Sequence, residues 1–307
     1  MIAITLPEFT DIGREFAICF EACVATLCRY INRHYEMMFL NQLQIYYQEG
    51  VTDFNQEMAQ CFRSSDHYLE YLEKYHGIQL HYYDQGDYIK IAQEELAKGK
   101  PTILHLDVFY CPWDPLFHKI HNCHMGIITG VDEKYIYVCD PYDRVLHEKL
   151  LISDVHKHSQ FIYTYDLRNV TLTKEQAKKV FQEEICKEYP IAIQALKKSY
   201  ECIISQLETI MDENEKVFEL LFEFTKGRII QYANFSYLLK YLLNPLCEQY
   251  EEVLDKLNEN VKELYRIKNL SMKLKIVQSQ KIILSIKEYF QTYLVHEEQM
   301  YQLLMTV

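Results

Sequence analysis

The sequence predicts an α+β fold: a helix packed on an antiparallel sheet, followed by an all-helical second domain. Three observations carry this. Gly (8) and Pro (7) are scarce among 307 residues, which argues against an all-β sandwich, a collagen-like chain or a disordered tail. Helical spacing before residue 99 gives way to β-branched and aromatic runs that end at 167, so strands follow helices instead of alternating with them. From residue 173 the helical spacing returns and holds almost to the end. The length exceeds what one small core serves, so two domains are expected, 1–170 and 171–307, with the boundary near 168–172.

Residues 16–35, FAICFEACVATLCRYINRHY, read as one helix. Ile18, Ala22, Ala25 and Arg29 lie on or beside one stripe, and Cys19, Cys23 and Thr26 on its neighbour. A second helix is expected over 65–76, closed by Gly77, then a short strand IQLHYYD (78–84) and an amphipathic helix over 87–98 that ends at GKP. TILHLDVFY (102–110), MGIITGVD (125–132), KYIYVCDP (134–141) and SQFIYTYDL (159–167) read as strands, with a tight turn at Asp132-Glu133. In the helical half Thr171 or Thr173 is the expected N-cap. Pro190, Pro245 and the Lys226-Gly227 pair are expected breaks, leaving segments near 173–188, 191–225, 229–243 and 246–306, the last open to a further break, in a bundle or long hairpin.

The formal charge of −12 disfavours a general nucleic-acid binder. Residues 1–168 hold 14 Lys and Arg against 24 Asp and Glu, a net of −10, so the acidity belongs to the first half. The ten cysteines are scattered singly without a repeated CxxC unit, and the start MIAITLPEFTDIG lacks the basic and apolar regions of a secretory leader. Reduced thiols in a cytoplasmic protein are the expectation. No stretch reaches the roughly 18 apolar residues of a membrane span, so no membrane partner is expected.

Two groups of residues have chemical potential. Cys19 falls near the start of a helix, where the dipole and unpaired N–H groups favour thiolate. A Cys on an apolar helix is otherwise a small core residue, and Cys23 and Cys28 carry only that reading. In HKIHNCHMGIITGVDEKYIYVCDP (118–141), a turn at 132–133 sets Asp140 opposite residue 125 and so beside His124. A carboxylate there fixes the imidazole tautomer and stabilises the imidazolium, although such a pair is also an ordinary structural hydrogen bond. His118, His121 and His124 recur every three residues with Cys111 and Cys123 nearby, yet no standard Cys/His zinc pairing appears, and neither metal nor other cofactor is expected. His118 and His121 are read as lining a cleft mouth, Asp107 as a substrate-facing or structural carboxylate, Tyr110 as a further substrate-side residue, and Trp113 as either a cleft wall or a loop anchor.

With these residues in place, the chain resembles the papain-like clan, in particular the bacteriocin-processing peptidases and the butirosin biosynthesis protein H N-terminal family. ICFEACVATLCRYIN (18–32) is similar to the clan's Cys helix, in which the catalytic Cys precedes a second Cys by four residues. LDVFYCPWDPLFHKIHNCHMGIITGVDEKYIYVCDPY (106–142) is similar to the butirosin-H group around its catalytic His. The resemblance spans about residues 15–168 and implies a papain-like fold with Cys19 as nucleophile, His124 as base and Asp140 as orienting acid. It departs at Gly13, where papain-type enzymes carry an oxyanion-hole Gln six residues before the Cys.

The resemblance implies an acyltransferase in natural-product biosynthesis, moving an acyl group from an acyl-carrier-protein thioester through a Cys acyl-enzyme to an amine. A cysteine peptidase or amidase with the same triad, and a non-catalytic interaction protein, stand as alternatives. The acidic first half would suit a cationic small-molecule amine acceptor. Between 262 and 287 seven basic residues face one acid, Glu263. Lys262, Arg266, Lys268, Lys273 and Lys275 are read either as a solvated helix face or as a docking surface for an acidic carrier protein. Dimerisation is an equally open role for the helical half.

Overall fold

The computed structural model describes residues 2–3, 18–44, 67–170, 172–209, 214–243, 248–277 and 279–306. Gly13, Thr171, Pro245 and the first residues of the helix expected from 65 lie outside these. The fold is α+β, and the chain divides into two compact units. One comprises residues 1–37 and 69–171, the other 38–68 and 172–307, so contacts group 38–68 with the helices instead of with the sheet.

In the first unit the strands are β1 (Ile2–Ala3), β2 (Ile78–Tyr83), β3 (Thr102–Asp107), β4 (Cys123–Val131), β5 (Tyr135–Asp140), β6 (Val145–Leu151) and β7 (Ile162–Leu167). They form one antiparallel sheet ordered β2-β7-β3-β4-β5-β6, with β1 added on β4. Helix α1 (Cys19–Tyr30) meets one face through Phe20, whose ring lies 5.5 Å from Tyr163. On the other face Leu104, Leu106, Ile128 and Val138 pack with Ile89, Ala92 and Leu96 of α3 (Tyr88–Ala97) and with Val155 of α4 (Ile152–His158). Asp87 starts α3 by accepting the N–H groups of Ile89 and Lys90 at 3.1 Å, a side-chain N-cap. Helix α2 (Tyr68–His76) ends at Gly77, which has a φ of +65°. A Cβ there would stand 2.4 Å from the Arg168 carbonyl oxygen, so the position requires glycine twice over.

Strand β6 was not expected from sequence. Its centre, His147-Glu148-Lys149, breaks the alternation of apolar and polar residues, because an edge strand need bury little. Its pairing with β5 carries a bulge where Val138 faces Glu148 but Asp140 faces Val145, and His147 in that bulge has a φ of +54°.

The second unit contains four long helices, α5 (Lys174–Thr209), α6 (Asn214–Leu242), α7 (Glu248–Ile276) and α8 (Gln280–Leu304). Thr173 opens α5 with a reciprocal capping box: its hydroxyl accepts the Gln176 N–H at 3.2 Å, and the Gln176 side chain accepts the Thr173 N–H at 2.9 Å. Two expected breaks do not occur. Pro190 lies inside α5, exposed like Cys186 four residues before it, so the carbonyl left without a helical partner faces water. Gly227 lies inside α6, held by the buried flanking residues Phe224, Arg228 and Tyr232.

The core of this unit holds a charged pair. Arg228 and Glu297 are both fully buried and bonded to each other. Arg228 also donates to Tyr293 Oη (3.0 Å), Gln231 Oε1 (2.6 Å) and the Leu43 carbonyl (2.9 Å). Glu297 accepts from the Tyr232 hydroxyl and from Asn260 at 3.1 Å. Burial raises the Glu297 carboxyl to about 7 although the guanidinium opposes the shift. Tyr301 donates to the same Leu43 carbonyl at 3.1 Å, so the network ties the 38–44 segment to the helices.

Among the described residues no helix is long and apolar enough to cross a membrane.

Candidate active site

Helix α1 begins at Cys19. Ile18 before it is extended (φ −87°, ψ 165°) and offers no capping side chain, so the half-buried thiol shares the uncapped first turn with the buried acid Glu21. Cys23, one turn on, is fully buried and points its Sγ at the Met125 carbonyl at 3.5 Å. Burial pushes its thiol well up, and the charges of Cys19 and Asp140 add to that, so Cys23 is an apolar packing residue.

His124 and Asp140 meet through a register that sequence reading approached by a different route. The turn is longer than Asp132-Glu133, because β4 and β5 first pair at Val131 and Ile136. Asp132 builds it, accepting the N–H groups of Lys134 (2.8 Å) and Tyr135 (2.7 Å) and the Tyr137 hydroxyl (2.7 Å). A bulge between Ile128 and Gly130 then takes back one residue, so Ile127 faces Cys139. Extending that register puts Asp140 across from Gly126 instead of Met125, on the same face as His124 and diagonal to it. A Cβ at Gly126 would meet Val138 Cγ1 at 2.6 Å and Leu106 Cδ1 at 2.9 Å, so the bare glycine lets the strands close beneath the pair.

The resulting contact is short. His124 Nε2 lies 2.5 Å from Asp140 Oδ2, and both residues are buried. The Trp113 indole N–H donates to the same oxygen at 2.8 Å. Oδ1 accepts the backbone N–H groups of Tyr142 (3.0 Å) and Asp143 (3.1 Å). Four donors thus fix the carboxylate. Burial alone would raise its pKa, but the hydrogen bond and charge of His124, with Trp113 and the Asp143 amide, hold it below the ordinary carboxylate range.

Burial would lower the His124 pKa, yet hydrogen bonds to Asp140 and Cys19 and the charges of both raise it to about 10. With Nε2 committed to Asp140, Nδ1 is the nitrogen left to the Cys19 thiol. A raised histidine pKa means that the folded state holds the proton more tightly than the unfolded state. Its stabilisation is therefore complete below about 6.5 and is lost as pH rises through about 10. Chemical unfolding at pH 7 and pH 10 should show that loss in the wild type and a smaller one in His124→Gln, and equal losses would remove the imidazolium from the account.

Trp113 is half-buried against the α3-side core, and its indole belongs to the His-Asp network. Nothing in the sequence pairs a loop Trp with a strand-end Asp 27 residues away. The backbone donors were more legible: Asp140-Pro141-Tyr142-Asp143 is a turn in which an Asp side chain accepts from residues two and three further on.

The remaining residues form a ring-rich rim. Asp107 ends β3, accepts the Phe109 N–H at 3.0 Å and meets His121 Nδ1 at 2.7 Å. Against the effect of burial, those bonds hold the Asp107 carboxyl below its ordinary range. His121 stacks on Phe109 (4.3 Å), His118 on Phe117 (3.8 Å) and Tyr110 on His158 (3.8 Å). The spacing of His118, His121 and His124 does not bring them together as ligands. Among the described residues the donors that converge are His124, Asp140 and Asp143, within 4.8 Å of one another.

In the helical unit, Lys262, Arg266, Lys273 and Lys275 of α7 are exposed and Lys268 is half-buried. Arg266 bonds Glu263, Lys268 lies over the Phe222 ring (4.7 Å) and Lys275 over Phe218 (4.8 Å).

Comparison with protein families gives a match: residues 22–141 are similar to the family described as butirosin biosynthesis protein H, N-terminal. The matched stretch holds His124, Asp140 and Trp113 and begins three residues after Cys19, on the same helix. Comparison with curated proteins gives no match.

Proposed function

We propose that this chain is a biosynthetic acyltransferase using Cys19, His124 and Asp140. The single observation that carries the reading is the buried His124 imidazole, held to Asp140 through Nε2 and close enough to the helix-start thiol of Cys19 for the two to interact electrostatically. The family's name supports a setting in antibiotic biosynthesis. The free cysteines among the described residues suit the cytoplasm.

In the proposed first step, Cys19 thiolate attacks the carbonyl carbon of an acyl thioester. A new C–S bond forms, the old one breaks, and the carrier thiol leaves with the proton from His124. The backbone N–H of Cys19 is one donor for the oxyanion. In the second step an amine attacks the acyl-enzyme. His124 accepts the proton lost from nitrogen, an amide forms and the Cys19 thiolate is released. Asp140 stays ionised and holds the imidazole in the productive tautomer.

In this reading residues 1–170 are the catalytic domain and resemble the papain-like clan. Asp107, Tyr110, Trp113, His118 and His121 stand on the substrate side, Trp113 through its hold on Asp140. An amine with positive charge suits the acidic first half. The helical domain, 171–307, would receive an acidic acyl carrier protein on α7. The support is a run from 264 to 287 with six basic residues and no acid, four of them on α7 and two, Lys281 and Lys287, on α8. No cofactor enters the chemistry.

Intact mass spectrometry after incubation with a panel of acyl-carrier and simple acyl thioesters tests the reading. Wild-type protein should gain the acyl mass, Cys19→Ala should not, and added amines should discharge the adduct as amides. Discharge by water alone would make the enzyme a hydrolase with the same triad. No adduct with any donor, together with a Cys19 inert to iodoacetamide, would make the protein a non-catalytic interaction partner.

A further inference from the structure

Beside Cys19 the first unit presents a run of aromatic rings. Phe20 follows the thiol in the chain, and its ring is 5.5 Å from Tyr163 on β7. Tyr163 faces Tyr82 of β2 directly across the sheet, with ring centroids 5.3 Å apart. Phe161, just before β7, lies 5.2 Å from Tyr82 and 5.7 Å from Tyr163, and His105 lies beneath it at 4.9 Å. Interplanar angles between 39° and 78° make this a wall of alternating ring faces and edges instead of a closed stack. Tyr82 is 51% exposed, and Phe20, Phe161 and Tyr163 are each half-buried.

Through Phe20 the wall begins one residue from the half-buried Cys19, and at Tyr82 its far end stays open to solvent, which leaves room for a group carried on the thiol. We propose that Phe20, Tyr82, Phe161 and Tyr163 form the subsite for an aromatic acyl group, so that the chain acts on aryl or arylalkyl acyl donors. The inference rests on Cys19 being the thiol that accepts the acyl group. Offset and edge-to-face contacts with a flat ring suit the tilted walls, and the tyrosine hydroxyls offer polar ends to a substituted ring. A cationic guest is less well served, because Asp166, the acid of β7, is already paired with Lys100 (2.9 Å) and His81 (3.1 Å).

Alkylation of the full chain by iodoacetamide and by N-(2-phenylethyl)iodoacetamide, with Cys19 read by peptide mapping, tests this without turnover. The aryl reagent should label Cys19 at least tenfold faster and with saturation, while Cys123 shows no such preference. Tyr82→Leu, at an exposed position, and Phe161→Leu, which keeps apolar bulk, should each reduce the preference severalfold without changing the iodoacetamide rate. Equal rates in the wild type, a Cys19 labelled by neither reagent, or a preference that survives both substitutions together would overturn the proposal. The acyltransferase reading fails separately, through a Cys19 whose iodoacetamide rate is indifferent to His124→Ala and which takes no acyl group from any thioester.

Discussion

His124→Ala should slow acylation of Cys19 by about 10²–10⁴-fold, and Cys19→Ala should abolish it, with neither change unfolding the protein. In the proposed mechanism the imidazole supplies the proton that the leaving thiol needs and holds the thiolate by charge. Both contributions disappear with the ring. Asp140→Asn should give an intermediate loss, because an amide can still occupy the site but cannot stabilise imidazolium. Trp113→Phe removes one of four donors to the carboxylate and keeps an aromatic ring there, so its effect should be smaller than that of Asp140→Asn and should appear in the pH profile. Single-turnover acylation followed by mass spectrometry would rank the four variants. Full acylation of Cys19→Ser, or an adduct that persists in Cys19→Ala and vanishes in Cys23→Ala, would end the assignment.

The largest effect on stability is expected at Arg228. Replacing it with Met leaves the Glu297 carboxyl buried among Tyr232, Asn260 and Tyr293 without its counter-ion. Removing one partner of a buried pair costs about 3–5 kcal/mol, and Arg228→Met also withdraws a donor from the Leu43 carbonyl. Arg228→Met/Glu297→Leu should recover much of that loss, since no charge is then stranded. Urea unfolding followed by far-ultraviolet circular dichroism would compare the midpoints. A double variant no more stable than Arg228→Met would show that the network acts through its hydrogen bonds instead of its charges.

The parts of this fold that were legible in the sequence are those where one physical signal dominates. Strands β3, β4, β5 and β7 are apolar runs between turn residues, and Gly77 closes α2 in the left-handed conformation. Pro190 and Gly227 misled because each is read as a local break, whereas a solvent-facing Pro and a Gly flanked by buried aromatics leave a long helix intact. Strand β6 was hidden by its charged centre. At the site, Cys19, His124 and Asp140 were recognisable as residue types in a pattern. The hold of Trp113 on Asp140 depends on how a loop packs, and no periodicity records that.

The β4–β5 register has a consequence for how this site could be lost. The longer turn shifts the pairing by two residues and so keeps each side chain on its face, whereas the bulge between Ile128 and Gly130 shifts it by one, and that single residue leaves His124 and Asp140 on one side of the sheet. Side chains alternate along a strand, so the dyad depends on whether a residue count is odd or even. Deleting one residue between 129 and 134 would leave every catalytic side chain in the sequence and turn the carboxylate through the sheet, away from the imidazole. The spacing between the two residues is thus itself a requirement of the proposed chemistry.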